Sequence, residues 1–107
     1  MSAASDYLEN KVLDHVLGNT TYSPAGTLYI GLWTADDGLE AGTLTSEVSG
    51  GSYGRGTVAF NAAGSGSSAN TGTVTFTTAT GNWGTITHVA VMDAATSGNV
   101  LFHGAVT

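Results

Sequence analysis

Cysteine is absent from the 107 residues, which excludes disulfides, thiolate zinc sites and thiol catalysis together. The fold must be held by packing and hydrogen bonds, and a chain without disulfides fits folding in a reducing cytoplasm. Basic side chains are nearly missing too. Lys11 and Arg55 stand against eight acidic residues, for a formal net charge of −6. Nucleic-acid binding is mostly neutralisation of phosphate by Lys and Arg, so this balance argues against a nucleic-acid partner. It argues equally against an anionic membrane surface. No apolar run approaches the ~20 residues of a membrane span, and the opening Met-Ser-Ala-Ala-Ser-Asp lacks the basic-then-apolar order of a secretory signal. Charge of either sign amounts to 9%, well under the ~25% of ordinary globular chains. Proline occurs once.

Hydroxyls and glycine fill the gap, with 17 Thr and 16 Gly. Thr suits pleated, half-buried surfaces and Gly suits turns, so the composition argues for strands. The length predicts one domain over 1–107, burying about two-thirds of the surface its unfolded chain would expose. Its core is therefore modest and leans on few large side chains.

Residues 6–17 read as a helix. Asp6 with Glu9 three positions on has the form of a capping box. Leu8, Val12, Leu13, Val16 and Leu17 share one broad face, His15 lies on the polar side, and Gly18-Asn19 is a stop. Three turns are marginal alone, so the apolar face must dock, either on its own sheet or on another subunit. Tyr7, Leu8, Val12 and Val16 are the candidate assembly interface. The remainder, from about residue 26, reads as strands and loops. Strands are predicted at 27–34, 53–60, 73–78, 85–93 and 100–106, with loops at 35–52 and 61–72 and a turn at 94–99. Strand–helix alternation is absent, so the expected fold is mainly β: an antiparallel β-sandwich or jelly-roll-like barrel with one N-terminal α-helix.

Candidate chemistry is sparse. His88 and His103 fall on neighbouring predicted strands and could form half of a metal site, but no third His or Cys completes a tetrahedral set; hydrogen-bonded sheet residues are the better reading. Asp36, Asp37, Glu40 and Glu47 offer hard oxygen ligands without the order of a calcium loop, so a solvated loop is expected and no metal or other cofactor is implied. Gly64-Ser65-Gly66-Ser67-Ser68 lacks the strand-to-helix setting of a nucleophile elbow. The glycines around Arg55 hold only that one base, too few for an Arg/Gly RNA-binding segment. Asn19-Thr20-Thr21 matches a glycosylation triplet with no secretion signal to support it. Trp33 and Trp83 are candidate glycan-stacking platforms, although large aromatics in a chain with so few are more often core.

Four segments together carry a resemblance. They are Ser5-Asp6-Tyr7-Leu8-Glu9-Asn10-Lys11-Val12-Leu13-Asp14-His15; Thr27-Leu28-Tyr29-Ile30-Gly31-Leu32-Trp33-Thr34-Ala35-Asp36; Glu47-Val48-Ser49-Gly50-Gly51-Ser52-Tyr53-Gly54-Arg55; and Trp83-Gly84-Thr85-Ile86-Thr87-His88 with Met92-Asp93-Ala94-Ala95-Thr96-Ser97-Gly98-Asn99. In this order they resemble small tailed-phage and prophage structural proteins commonly labelled phage tail fibre proteins. The resemblance spans nearly the whole chain and includes no catalytic motif. It implies a non-enzymatic virion component, on the tail or decorating the capsid, made in the host bacterial cytoplasm. Its partners would be copies of itself and other virion proteins. Members of that class continue past Gly104-Ala105-Val106-Thr107 with a further strand or two; either this version is short or the sequence is incomplete, and a missing last strand would leave an unpaired edge that a neighbour in the particle could cover. The rival expectation is a carbohydrate-binding adhesion module on a host surface glycan, using Trp33 or Trp83; a hydrolase with an unrecognised site is the remote third.

Overall fold

The computed structural model describes residues 3–106; Met1, Ser2 and Thr107, at the ends of the predicted 1–107 span, lie outside it. Along the chain come β1 (Ala3–Ala4), α1 (Asp6–Val16), β2 (Leu28–Trp33), β3 (Gly56–Val58), β4 (His88–Met92) and β5 (Val100–Ala105). The strands form one sheet in the order β1-β5-β4-β2-β3, antiparallel between all neighbours. The chain is mainly β with one N-terminal helix, as its pattern predicts. The sheet stays open, which corrects the jelly-roll-like barrel. Its edges are β1, of two residues, and β3, of three, and closure needs edge strands long enough to pair with each other.

The centre is the pairing of β2 with β4, where Ile30 opposes Val91 and Leu32 opposes Val89, while Tyr29 opposes Met92 and Gly31 opposes Ala90. Alternation sends these two sets to opposite faces. Between β4 and β5 the register shifts, Val91 pairing with Phe102 but Met92 with Val100. Leu101 is thus the extra residue of a bulge. The bulge lets Val100 and Leu101, 1% and 4% exposed, enter the cores of different faces.

One face is closed by residues 36–48 folding back over it. Trp33, Leu39, Ala90, Met92 and Val100 form its core, with Tyr29 and Leu44 packed alongside. The segment is held by the Asp36 carboxylate, which accepts from the N–H groups of Gly38 at 3.1 Å and Leu39 at 3.0 Å. The N–H of Thr34 donates to the Ser46 carbonyl, and that of Val48 to the Leu32 carbonyl. Gly31 makes room for the Trp33 ring: a Cβ there would lie 2.7 Å from Trp33 Cζ3.

The other face carries Val91, Leu101, Leu28 and Ile30, joined by Leu8, Tyr7 and Ala4 from the N-terminal segment and by Tyr22. The helix cap is Ser5, not Asp6. Its hydroxyl accepts from the Leu8 N–H at 3.2 Å and donates to the Val100 carbonyl, and its own N–H donates to the Leu101 carbonyl at 2.8 Å. One wholly buried serine therefore starts α1 and ties it to β5.

The predicted strand at 73–78 forms no ladder, although it occupies a strand's place. A hairpin leaves β3, with Phe60 bridged to Asn70 and Gly64 to Ser67. The returning chain puts Val74 against Gly56, stacks Phe76 on Tyr53 with ring centres 6.5 Å apart, and lets the Thr80 N–H donate to the Gly51 carbonyl. Residues 69–80 so run antiparallel beside 51–61. The glycines of that stretch give the incoming strand few side chains to pack on, and β3 ends at three residues where 53–60 was expected.

Candidate functional site

Most of the acids and bases outside α1 are committed to holding the fold, while Glu9 and Asp14 stay exposed on the helix. Arg55 makes a two-point ion pair with Glu47, Nε to Oε2 and Nη2 to Oε1 both at 2.8 Å. Its Nη1 donates to the carbonyls of Ala94 and Ser97, each at 2.8 Å. The guanidinium thereby clips the loop before β3 to the turn between β4 and β5, with its side chain 2% exposed. The Tyr53 hydroxyl donates to Glu47 Oε2 at 2.7 Å and accepts from the Leu32 N–H at 3.0 Å. Burial, then the hydrogen bond to Glu47, pushes this phenol well above its ordinary value of 10.0. In the turn, Asp93 accepts from the Asn99 backbone and side chain at 2.7 and 2.9 Å. The motif residues Glu47, Tyr53, Arg55, Asp93 and Asn99 are thus braces of the sheet.

The histidines do not form a pair. His88 lies opposite Ala105, and His103 opposite Ala90. His88 Nδ1 is 2.8 Å from Thr87 Oγ1, whereas His103 Nε2 is 2.7 Å from Glu40 Oε1. His15 accepts from the Tyr22 N–H at 3.1 Å. In the acidic loop, Asp37 accepts from the Ser46 hydroxyl. Asp6, Glu9 and Glu40 bring one carboxylate oxygen each within 4.8 Å of one another. A hydrogen bond with Glu40, then partial burial, raises Asp6 above the ordinary 3.8. Hydrogen bonds from His103 and Asp6 lower Glu40 below the ordinary 4.5. This corner latches the first turn of α1 to the covering loop, where the Asp6 N–H also donates to the Glu40 carbonyl at 2.9 Å.

The two tryptophans differ. Trp33 is 1% exposed and sits in the closed core, so its ring offers no free face. Trp83 is half-buried; its indole N–H donates to the Gly51 carbonyl at 2.9 Å and its ring meets Tyr53 edge to face at 5.4 Å.

The largest uncovered surfaces are apolar. In α1, Leu8 is buried and Tyr7 half-buried, so two of the four interface candidates already serve the chain's own sheet. Val12 and Val16 are 45% and 70% exposed. Leu13 and Leu17, at 55% and 70%, extend the same stripe; the helical pattern had marked them, although the four-residue interface left them out. Beside the helix's foothold the second face of the sheet lies open as a groove of about 950 Å³. Its floor is Leu28, Ile30, Val58, Val91 and Phe102, and the hairpin after β3 forms a wall. No ionisable residue lines it. Sequence reasoning missed the groove because it assigned this face to a second layer. The alternation in 27–34 and 53–60 was the available signal.

A braced open sheet whose uncovered groove is lined by no ionisable residue is the architecture of a small, mainly β protein. Residues 3–107 match the family described as Podophage GP4 fiber I protein gp80, and the chain belongs to that family of phage fibre proteins. No curated protein matches it by sequence. Among the described residues, no helix is long and apolar enough to cross a membrane.

Proposed function

We propose that this protein is a fibre subunit of a tailed-phage virion, working by protein–protein contact rather than by catalysis. The observation that carries the reading is the split between committed and uncommitted groups. Most of the acids and bases outside α1 brace the fold, while the largest uncovered surfaces are the α1 stripe and the neutral groove. Exposed contiguous apolar surface of this kind marks an interaction site. In a repeated assembly each contact can be weak and the array still hold, because every added copy binds at high effective concentration. The assembly interface is Val12 and Val16 with Leu13 and Leu17, while Tyr7 and Leu8 anchor the helix that presents them.

The test is location. An antibody raised against this chain should label the fibres of intact particles by electron microscopy, and the chain should co-sediment with purified virions. A chain confined to the soluble lysate, with unlabelled particles, would overturn the reading.

A further inference from the structure

Two surfaces of one chain are uncovered, and they match. The α1 stripe presents Val12, Leu13, Val16 and Leu17 over about 8 Å of helix at 1.5 Å per residue. The groove spans β3, β2, β4 and β5, three strand spacings or ~14 Å wide, enough to seat one helix of ~10–12 Å diameter. The same face already accepts a helical side chain: Leu8 of α1 packs on Val91 and Leu101 at its other end.

Charge narrows the occupant. The stripe is flanked by Glu9 and Asp14, so its partner must carry no facing carboxylate. The groove meets that condition, with a rim of Ser67, Ser68 and Asn70. Of the two basic residues, Arg55 is locked on Glu47, and Lys11 Nζ lies over the Tyr7 ring at 5.5 Å. Neither the stripe nor the groove offers a basic patch to an anionic lipid surface.

We propose that the exposed α1 stripe of one copy seats in the open sheet groove of a second copy. Resting on the fibre reading, this names the partner that the apolar surfaces take. The contact joins two different patches, so it either closes into a ring or runs on as a filament. Because every copy carries the same net negative charge, salt screens the repulsion and strengthens association, opposite to an interface made of ion pairs.

The experiment uses the purified full chain in size-exclusion chromatography with light scattering, across a range of protein and salt concentrations. Oligomers growing with both are expected. Val16→Glu with Leu17→Glu removes the stripe, and Phe60→Glu with Phe102→Glu spoils the groove. Each pair should weaken association by about tenfold or more, as loss of a central apolar anchor does. All four positions are at least 39% exposed, and circular dichroism confirms folding; Val16→Ala and Phe102→Ala repeat the test should a glutamate variant fail to fold. Mixing stripe-deficient with groove-deficient protein should restore a one-to-one species, since one sound groove then meets one sound stripe. A wild-type monomer under all conditions overturns the proposal, as does association lost with the stripe but kept with the groove spoiled, or a mixture that stays monomeric. A monomer that still co-sediments with virions defeats this pairing alone. An oligomer missing from virions defeats the fibre reading alone.

Discussion

The two faces of the sheet use the same strands and are finished differently. Under residues 36–48, Trp33, Leu39, Met92 and Val100 are at most 1% exposed. Across the sheet, Phe60 and Phe102 stand 39% and 41% exposed beside a groove that no segment of the described chain fills. The closed face is completed locally: its covering segment follows β2 directly and is held by Asp36 and the Val48–Leu32 hydrogen bond. The open face receives Ala4, the first turns of α1, fastened by Ser5, and Tyr22 beyond the helix, while the rest of α1 leaves it. A small domain has little core to divide. Here the larger buried cluster lies on one side, while the other side buries Leu8, Val91 and Leu101 and leaves the rest of its surface uncovered. On the proposed reading the closed face carries the larger share of stability and the open face the contacts, so the two can be perturbed separately.

The largest effect is expected in the closed core. Trp33→Ala should cost ~3–5 kcal/mol, a large share of the ~5–15 kcal/mol that holds an ordinary domain. Urea titration followed by circular dichroism measures it. The indole N–H of Trp33 has no hydrogen-bond partner, so Trp33→Phe keeps most of the packing, removes an unpaired buried donor and should cost far less. On the open face Phe102→Ala should cost only about 1 kcal/mol, because much of its ring is already in water. Equal losses for Trp33→Ala and Phe102→Ala would break the comparison.

Next comes the brace. Arg55→Lys should destabilise by about 3 kcal/mol, since a lysine cannot make the two-point bond to Glu47 while also reaching the Ala94 and Ser97 carbonyls. A lysine variant melting like the wild type would show that the clip between the loop and the β4–β5 turn contributes nothing. Ser5→Ala follows at roughly 1 kcal/mol, the usual loss for a helix cap. It should act mainly on α1 and, through the Asp6–Glu40 latch, on the edge of the covering loop, so helical dichroism should fall more than the near-ultraviolet signal of the core.

How far these features are legible in the sequence depends on what encodes them. β2 is readable because 28–33 alternates on both faces, and α1 because its leucines and valines repeat at helical spacing. The cap is misread by one residue because Ser5 is chosen by the Val100 carbonyl, a partner 95 positions away. Two alanines carry no strand pattern, and β1 exists only because Ala3 and Ala4 reach His103 and Phe102. Residues 73–78 have the pattern without the ladder, because pattern sets a preference and a partner strand must complete it. The stripe was marked as apolar from its spacing, but that most of it would stay uncovered is a tertiary fact: only the Tyr7–Leu8 end meets the sheet.

The smallest effect is that of pH, and it separates the faces once more. Two carboxylates hold the covering loop: Asp36, drawn below 3.8 by the N–H groups of Leu39 and Gly38, and Glu40, drawn below 4.5 mainly by His103. A depressed carboxylate contributes stability above its unfolded value and loses it as pH falls through the folded one. Acid below about pH 4.5 should therefore loosen the closed face. Asp6 has the opposite sign. Its value is raised by Glu40, so its contribution is complete below 3.8 and fades as pH rises through the raised value. Melting temperature against pH should pass through a shallow maximum on the acid side, then fall with a red shift of Trp33 fluorescence as the loop lifts. Asp36→Asn should remove part of that fall, and Asp6→Asn should flatten the approach from neutral pH. All three groups lie near the surface, so added salt should shrink both limbs. An acid transition that leaves Trp33 emission unmoved and instead abolishes self-association would place the pH-sensitive latch on the open face and reverse the division of labour.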